Sequence, residues 1–355
     1  MHDAKLHLCL REDSIDRFEK AFESIDGGNQ YILNTTVVEI GPGELFVAFG
    51  TRDYYEPDSG RRTSNIRLAT VRYRKAGADT GPLKDAGIDV KSLGDGFFEG
   101  SAQSEALGRL ESFMLHLPYG YTADAKSPYP LVVFLHGAGR HARSLMEFPA
   151  ARDIIERSPC VFLSPNGRGS WWVDSPVEEE SRYQSFLVEL IDLVSARLNV
   201  SANPARRAIG GWSMGGFGSA NFIEDHPDLF GTWGGIIPLV DFPNTGYAPE
   251  DNHSIPAVLG GAHDWPTFNP INKVDALRGK HLLFITAENA FERKMNEAFA
   301  AKLRAENIDH TFKVLPGGHT IDVVLAAFPE VMAFFHTHVG ASWDGTGQAV
   351  TGNPK

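Results

Sequence analysis

One serine, one histidine and a few carboxylates have the types and order to do chemistry together. Ser213 lies in GGWSMGGFG, residues 210–218, with five glycines around it. Each interior Gly costs a helix up to ~1 kcal/mol relative to Ala, so a run this dense marks a backbone with a special conformation. The residues before it, Arg206–Ile209, have strand character, and those after it, Ser219–His226, have helical character. Strand, Gly-x-Ser-x-Gly and helix is the setting of a nucleophile elbow, where the serine sits in a strained conformation at a strand tip. Gly211 and Gly215 would leave room for neighbouring chain to pass close by. The same pattern also occurs in ordinary Gly-rich loops, so the partners of the serine must decide.

A serine hydroxyl needs a base, a group that orients the base, and donors for the oxyanion. His319, in LPGGHT, follows the strand-like HTFKVL and precedes a helix-like run. It is the expected base. His336 and His338 fall in the last helix and His310 at a strand start, with no comparable placement. The acid is expected after the strand HLLFIT, where the chain reads Ala287-Glu288-Asn289-Ala290-Phe291-Glu292. Glu288 comes first and is the choice, Glu292 is the reserve, and Asp264 in GGAHDWP is a third candidate. The oxyanion hole needs two backbone N–H groups. Met214, directly after the serine, supplies one. The loop His136-Gly137-Ala138-Gly139 supplies the other, with Ala138 as donor and Gly139 next. His136 itself is expected to hold that loop by hydrogen bonds.

These residues must be carried by elements that bring them to one edge. From about residue 105, short apolar strands alternate with helices. SFMLHLP, LVVFLHGAG, CVFLSPNG, RRAIGGWS, GTWGGIIPLV, HLLFIT and HTFKVLPGG read as strands. SRYQSFLVELIDLVSARLNV, MGGFGSANFIEDH, FERKMNEAFAAKLRAEN and IDVVLAAFPEVMAFFHTHV read as helices. That alternation predicts a mostly parallel sheet covered on both faces, with ligands at the carboxyl ends of its strands. Residues 1–100 differ. KLHLCL, YILNTTVVEI, GELFVAFGT and NIRLATVRYRK read as strands, SIDRFEKAFESI as a short helix, and KAGADTGPLKDAG as a loop or linker. The expected organisation is a small mostly-β N-terminal module over 1–100, a catalytic domain over 101–340, and a loose polar tail over 341–355. The Pro-, Asn- and Gly-rich stretch from Asp241 to Pro270 is long for a connection and reads as a rim or lid, or as a plain surface excursion.

Composition limits the function classes. The chain has 355 residues, 33 basic and 45 acidic, for a net charge of −12. No basic surface suited to phosphate neutralisation is evident, so nucleic acid is not an expected partner. Two cysteines, Cys9 and Cys160, form neither a disulfide framework nor a metal-ligand set. No apolar stretch approaches the ~20 residues of a membrane span, and no signal-peptide core is evident. The expectation is a cytoplasmic protein that needs no cofactor. His141, His253 and His263-Asp264 lack metal-ligand spacing, and the Gly-rich run matches no nucleotide-binding fingerprint.

Four stretches together carry a family resemblance. FMLHLPYGYTADAKSPYPLVVFLHGAG, SPNGRGSWWVDSP, GWSMGGFGSA and LPGGHT, spread between Ser101 and Gly340, resemble the putative esterases. That group includes enterochelin-esterase-like proteins, feruloyl esterases, esterase D and the antigen 85 mycolyltransferases. The resemblance implies an α/β-hydrolase fold, Ser213 as nucleophile and His319 as base. It leaves the acid open, because ITAEN departs from the Gly-x-x-Asp-like stretch usual there. The expected function is hydrolysis of a carboxylic ester, on a small-molecule or carbohydrate-linked substrate, through an acyl-enzyme. An acyltransferase or a catalytically inactive binding module is the alternative. Trp171 and Trp172, beyond the strand end at Asn166, read either as aromatic walls for a substrate ring or as packing of their own insertion. Trp212, beside the nucleophile, is the third candidate substrate contact.

Overall fold

LVVFL and the VFL of VFLSP have no polar alternation, and a run apolar at every position needs cover on both faces. The computed structural model describes residues 88–242 and 255–341, Leu83, and the backbone of five strands before residue 73. The chain divides into two compact units, Met1–Lys75 and Ala76–Lys355.

In the first unit, β1 (His7–Leu10) and β2 (Phe18–Ala21) pair antiparallel. β3 (Ile32–Gly41), β4 (Glu44–Tyr55) and β5 (Arg62–Arg72) form an antiparallel three-stranded sheet. The strands expected there are present. The short helix expected over SIDRFEKAFESI is not, because Phe18–Ala21 is a strand; the rest of that segment lies outside the described residues.

The second unit holds a nine-stranded sheet built from β6 (Val90–Gly94), β7 (Phe97–Ser104), β8 (Arg109–His116), β9 (Leu131–Leu135), β10 (Val161–Pro165), β11 (Arg207–Trp212), β12 (Thr232–Ile236), β13 (His281–Ala287) and β14 (Thr311–Leu315). The spatial order is β14-β13-β12-β11-β9-β10-β8-β7-β6. The run from β14 to β10 is parallel, and β8, β7 and β6 continue it antiparallel. β6 and β7 therefore belong to this sheet, and the unit begins near residue 76 rather than at 101.

Helices α1 (Pro149–Glu156), α2 (Tyr183–Arg197), α3 (Met214–Asp225), α4 (Arg293–Ala305) and α5 (Ile321–His338) cover the faces. The strand period of two splits the core accordingly. Leu131, Val133 and Leu135 of β9 join one cluster with Leu187 and Ile191 of α2, Phe222 of α3 and Phe299 of α4. Val132 and Phe134 join the other with Ile155 of α1 and Phe328, Val331 and Phe335 of α5. α1 had no expected counterpart. Pro149 sits at its first turn, where a proline costs no hydrogen bond. The expected tail at 341–355 lies, but for Ala341, outside the described residues, as do 243–254 of the Asp241–Pro270 stretch and most of KAGADTGPLKDAG.

Candidate active site

Ser213 sits between β11 and α3 with φ 54° and ψ −120°, a sparsely populated conformation for a residue with a Cβ. Its N–H is anchored to the Ile236 carbonyl at 3.1 Å, and its own carbonyl accepts from Phe217 N–H at 3.0 Å. The glycines explain how the turn closes. A Cβ on Gly211 would lie 2.5 Å from the Gly215 carbonyl carbon and 2.6 Å from the Leu135 oxygen, and one on Gly215 would collide with the same oxygen. α3 can thus start flush against β9 and β11, which raises the serine at the sheet's carboxyl edge.

His319 lies between β14 and α5. Its loop turns at Gly317, φ +119°, whose carbonyl accepts from Asn289 N–H at 2.8 Å. The Nε2 of His319 is 2.8 Å from Ser213 Oγ, and its Nδ1 is 2.7 Å from Glu292 Oε2. A carboxylate only accepts, so Nδ1 carries the proton and Nε2 keeps a lone pair for the serine hydroxyl. Glu292 is fully buried, and its other oxygen accepts from Thr286 Oγ1 at 3.0 Å. The Phe291 ring lies against the imidazole, with centroids 4.5 Å apart.

The expected acid, Glu288, does not meet His319. Its N–H bonds the Leu315 carbonyl at 2.9 Å, which continues the β13–β14 pairing by one residue, and its side chain is exposed. The chain then turns through Ala287–Ala290 (Ala290 N–H to Ala287 O, 3.2 Å), and this turn swings Glu292 in under the histidine. Asp264 is also ruled out by its partners. It accepts from Gly261 N–H at 2.9 Å and closes its own turn.

On the other side of β11, the loop after β9 carries His136–Arg140. His136 is fully buried, its Nδ1 donates to the Gly137 carbonyl at 2.8 Å, and its Nε2 accepts from Gly167 N–H at 2.8 Å. Burial pushes the imidazole down to about 4, so it is neutral at pH 7. As expected, this histidine holds the loop. A cavity of about 200 Å³ opens over Ser213 and His319. Gly137, Ala138 and Arg140 line it on the β9 side, and Trp212, Ile237, Ile321 and Val324 give it apolar walls.

The expected tryptophans separate. Trp212 faces the cavity. Trp172 is fully buried, donates from Nε1 to the His136 carbonyl at 3.2 Å and meets the His136 ring edge-on at 5.1 Å. Trp171 stacks on Phe242 at 4.8 Å and meets Phe217 at 5.2 Å. Neither Trp171 nor Trp172 lines the cavity at Ser213; they pack their own loop onto the domain.

The sequence model of the putative esterases matches residues 104–335. The chain belongs to that family. Esterase Rv1288 of Mycobacterium tuberculosis is 23% identical over 252 residues, covering 61% of this chain and 54% of that protein. A xylanase/feruloyl esterase of Xylanibacter ruminicola is 25% identical over 192 residues, covering 49% of this chain and 26% of that protein. The chain thus spans about half or less of the length of the curated relatives it matches. Among solved structures, an S-formylglutathione hydrolase from Agrobacterium tumefaciens superimposes with a TM-score of 0.59 at 20% identity, over 71% of this chain and 99% of that one. A ferulic acid esterase superimposes with a TM-score of 0.57 at 20% identity, over 67% of this chain and 98% of that one. The architecture is the α/β-hydrolase fold.

Two features of the site had no sequence expectation. Ile237, directly after β12, has φ 43°, an outlier for a β-branched residue. Its N–H to the Ile285 carbonyl, 2.6 Å, holds it there, where it walls the cavity. Strain of this kind concentrates at functional sites. Glu111 of β8 is the second. Its buried carboxylate accepts from Asn166 at 2.9 Å, Arg168 at 2.8 Å and Tyr183 at 2.8 Å. Burial alone would raise this carboxyl, but the hydrogen bonds from Asn166 and Tyr183 and the Arg168 charge outweigh it and hold the group below the usual carboxylate range. Glu111 fixes the loop whose Gly167 in turn holds His136. Its strand also carries Arg109, Ser112 and His116, so its polarity did not single it out in the sequence.

Proposed function

We propose that the protein is a serine esterase that hydrolyses a carboxylic ester through an acyl-enzyme, with Ser213, His319 and Glu292 as the triad. The observation that carries this reading is the continuous chain Ser213 Oγ–His319–Glu292, with both links at 2.8 Å or less. Ser213 Oγ attacks the acyl carbon as its proton passes to His319 Nε2. Glu292 holds the imidazole and stabilises its charged form. The imidazolium then gives its proton to the departing alkoxide, which leaves the acyl group on Ser213. Water, deprotonated by the same nitrogen, attacks this ester and releases the acid and the free serine.

Met214 and Ala138 N–H groups are the proposed oxyanion donors. Met214 is the first residue of α3, where helix N–H groups have no intrahelical acceptor and the helix dipole favours negative charge. Ala138 lines the cavity beside Ser213. Each such donor is worth roughly 10²–10³ in rate. No cofactor enters these steps.

Hydrolysis of 4-nitrophenyl esters from acetate to octanoate, by wild type and Ser213→Ala, tests the reading. Turnover is expected in the wild type and loss of it in the variant, with the small cavity favouring the short esters. Equal turnover by both proteins would sink it.

A further inference from the structure

We infer that the substrate of this site carries an anionic group, a carboxylate, phosphate or sulfate, and that Arg140 is the residue that selects it. The inference rests on the esterase reading and deepens it. Arg140 lines the cavity that opens on Ser213 and His319, at the end of the His136 loop. Among the described residues lining that cavity it brings the one formal charge apart from what His319 takes up; the triad carboxylate is buried behind the imidazole.

Its neighbours are paired, and this charge meets none of the described acids. Arg143 meets Glu99 at 3.7 Å, His141 meets Glu147 at 3.5 Å, and Arg152 meets Asp95 at 3.0 Å. Arg140, in the same stretch, has no side-chain partner among the described residues. In a chain with 45 acidic residues, a cation at the mouth of a cavity that meets none of the described ones has its donors available to a ligand. The net charge of −12 does not oppose this, since charges beyond about 8 Å are largely screened at physiological ionic strength. A contacting guanidinium offers a fork of donors matched to carboxylate and phosphate.

The topology says where the anion goes. β11 lies between β12 and β9, so Ser213 has Ile237 on one side and the Gly137–Arg140 loop on the other. An ester seated with its carbonyl at Ser213 would lay one flank on the apolar wall of Ile237 and Val324 and turn the other toward Arg140.

Two substrate pairs test this with wild type, Arg140→Gln and Arg140→Lys. One pair puts the anion on the acyl part, mono-4-nitrophenyl succinate against 4-nitrophenyl butyrate. The other puts it on the alcohol part, 4-acetoxybenzoate against its methyl ester. The readout is the ratio of kcat/KM for the anionic over the neutral member. In one of the pairs Arg140→Gln is expected to lower that ratio roughly tenfold to a hundredfold, the worth of a charge-assisted hydrogen bond. Arg140→Lys should recover part of it, because the charge stays and the fork is lost. An unchanged ratio in both pairs, with neutral esters hydrolysed and Ser213 labelled by a fluorophosphonate, overturns the anion proposal and leaves the esterase standing. Absence of both hydrolysis and labelling in the wild type overturns the esterase reading and this one with it.

Discussion

Glu292 reaches His319 from beyond the position where a strand-end acid would be sought, and its carboxylate is fully buried at 2.7 Å from Nδ1. Glu288 stands at the expected position and is exposed. Replacing Glu292 by Gln should therefore lower kcat by about 10⁴-fold, as the loss of an orienting triad acid does. Glu288→Gln should stay close to wild type. Steady-state kinetics on a short 4-nitrophenyl ester decides between them, and a large loss in Glu288→Gln with little in Glu292→Gln would reverse the assignment.

The contrast shows what was legible. Ser213 and His319 could be placed because a glycine pattern and the order of strands fix them to strand ends. The acid could not, because its position depends on how many residues the β13–β14 pairing and the following turn consume. Glu288 is spent on extending the pairing, through its N–H to Leu315, and only the turn after it brings a carboxylate inward. The two readings of the tryptophans could not be separated for a related reason. An adjacent pair on an extended chain would alternate faces, but Trp171 and Trp172 both have positive φ, 56° and 61°, and both turn into the domain. The parallel part of the sheet was readable from its apolar runs, whereas β6 and β7, with polar and glycine residues along them, were not read as strands, and the expected boundary at residue 101 cut through β7.

His136 makes the loop after β9, the proposed source of an oxyanion donor, sensitive to acid. Its Nε2 must keep a lone pair to accept from Gly167 N–H. Burial lowers its folded value to about 4, against about 6.5 in an unfolded chain. Between these values the unfolded chain binds a proton that the folded one refuses, so stability rises with pH across the window and is lost as pH falls from 6.5 toward 4. His336, buried and also held near 4, adds to the same window. Urea unfolding at pH 7, 5.5 and 4.5 should show the decline, and His136→Asn should reduce its slope by up to about 1.4 kcal/mol per pH unit. An unchanged slope would count against a buried neutral His136.

Trp172 is a clamp on the loop and not a substrate wall. Trp172→Ala should cost about 3–5 kcal/mol of stability, the usual loss for a fully buried aromatic. Trp172→Phe keeps most of the volume and loses the hydrogen bond to the His136 carbonyl. It should cost less and act on kcat more than on KM, since the loop proposed to stabilise the oxyanion loosens while the cavity walls remain. A pure KM effect in Trp172→Phe would return the residue to the substrate.

Glu224 is a carboxyl that the fold tolerates at a cost. It lies near the end of α3, and both of its oxygens are buried without a hydrogen-bond partner among the described residues. Burial raises it well above the ordinary glutamate value; nearby Lys273 pulls it down and Asp225 pushes it up. Above about pH 4.5 an unfolded chain has released this proton while the folded chain still holds it. The folded state then binds more protons than the unfolded one, and stability falls as pH rises through that range toward the folded value. Glu224→Met keeps the length and removes the unpaired carboxyl. It should stabilise the protein by about 1–3 kcal/mol at pH 7.5, the desolvation cost of an unsatisfied buried group. The gain should shrink toward pH 4.5, where the unfolded wild type also begins to hold the proton. Chemical unfolding at the two pH values measures it, and a variant less stable than wild type at pH 7.5 would mean that Glu224 has a partner worth more than its burial costs.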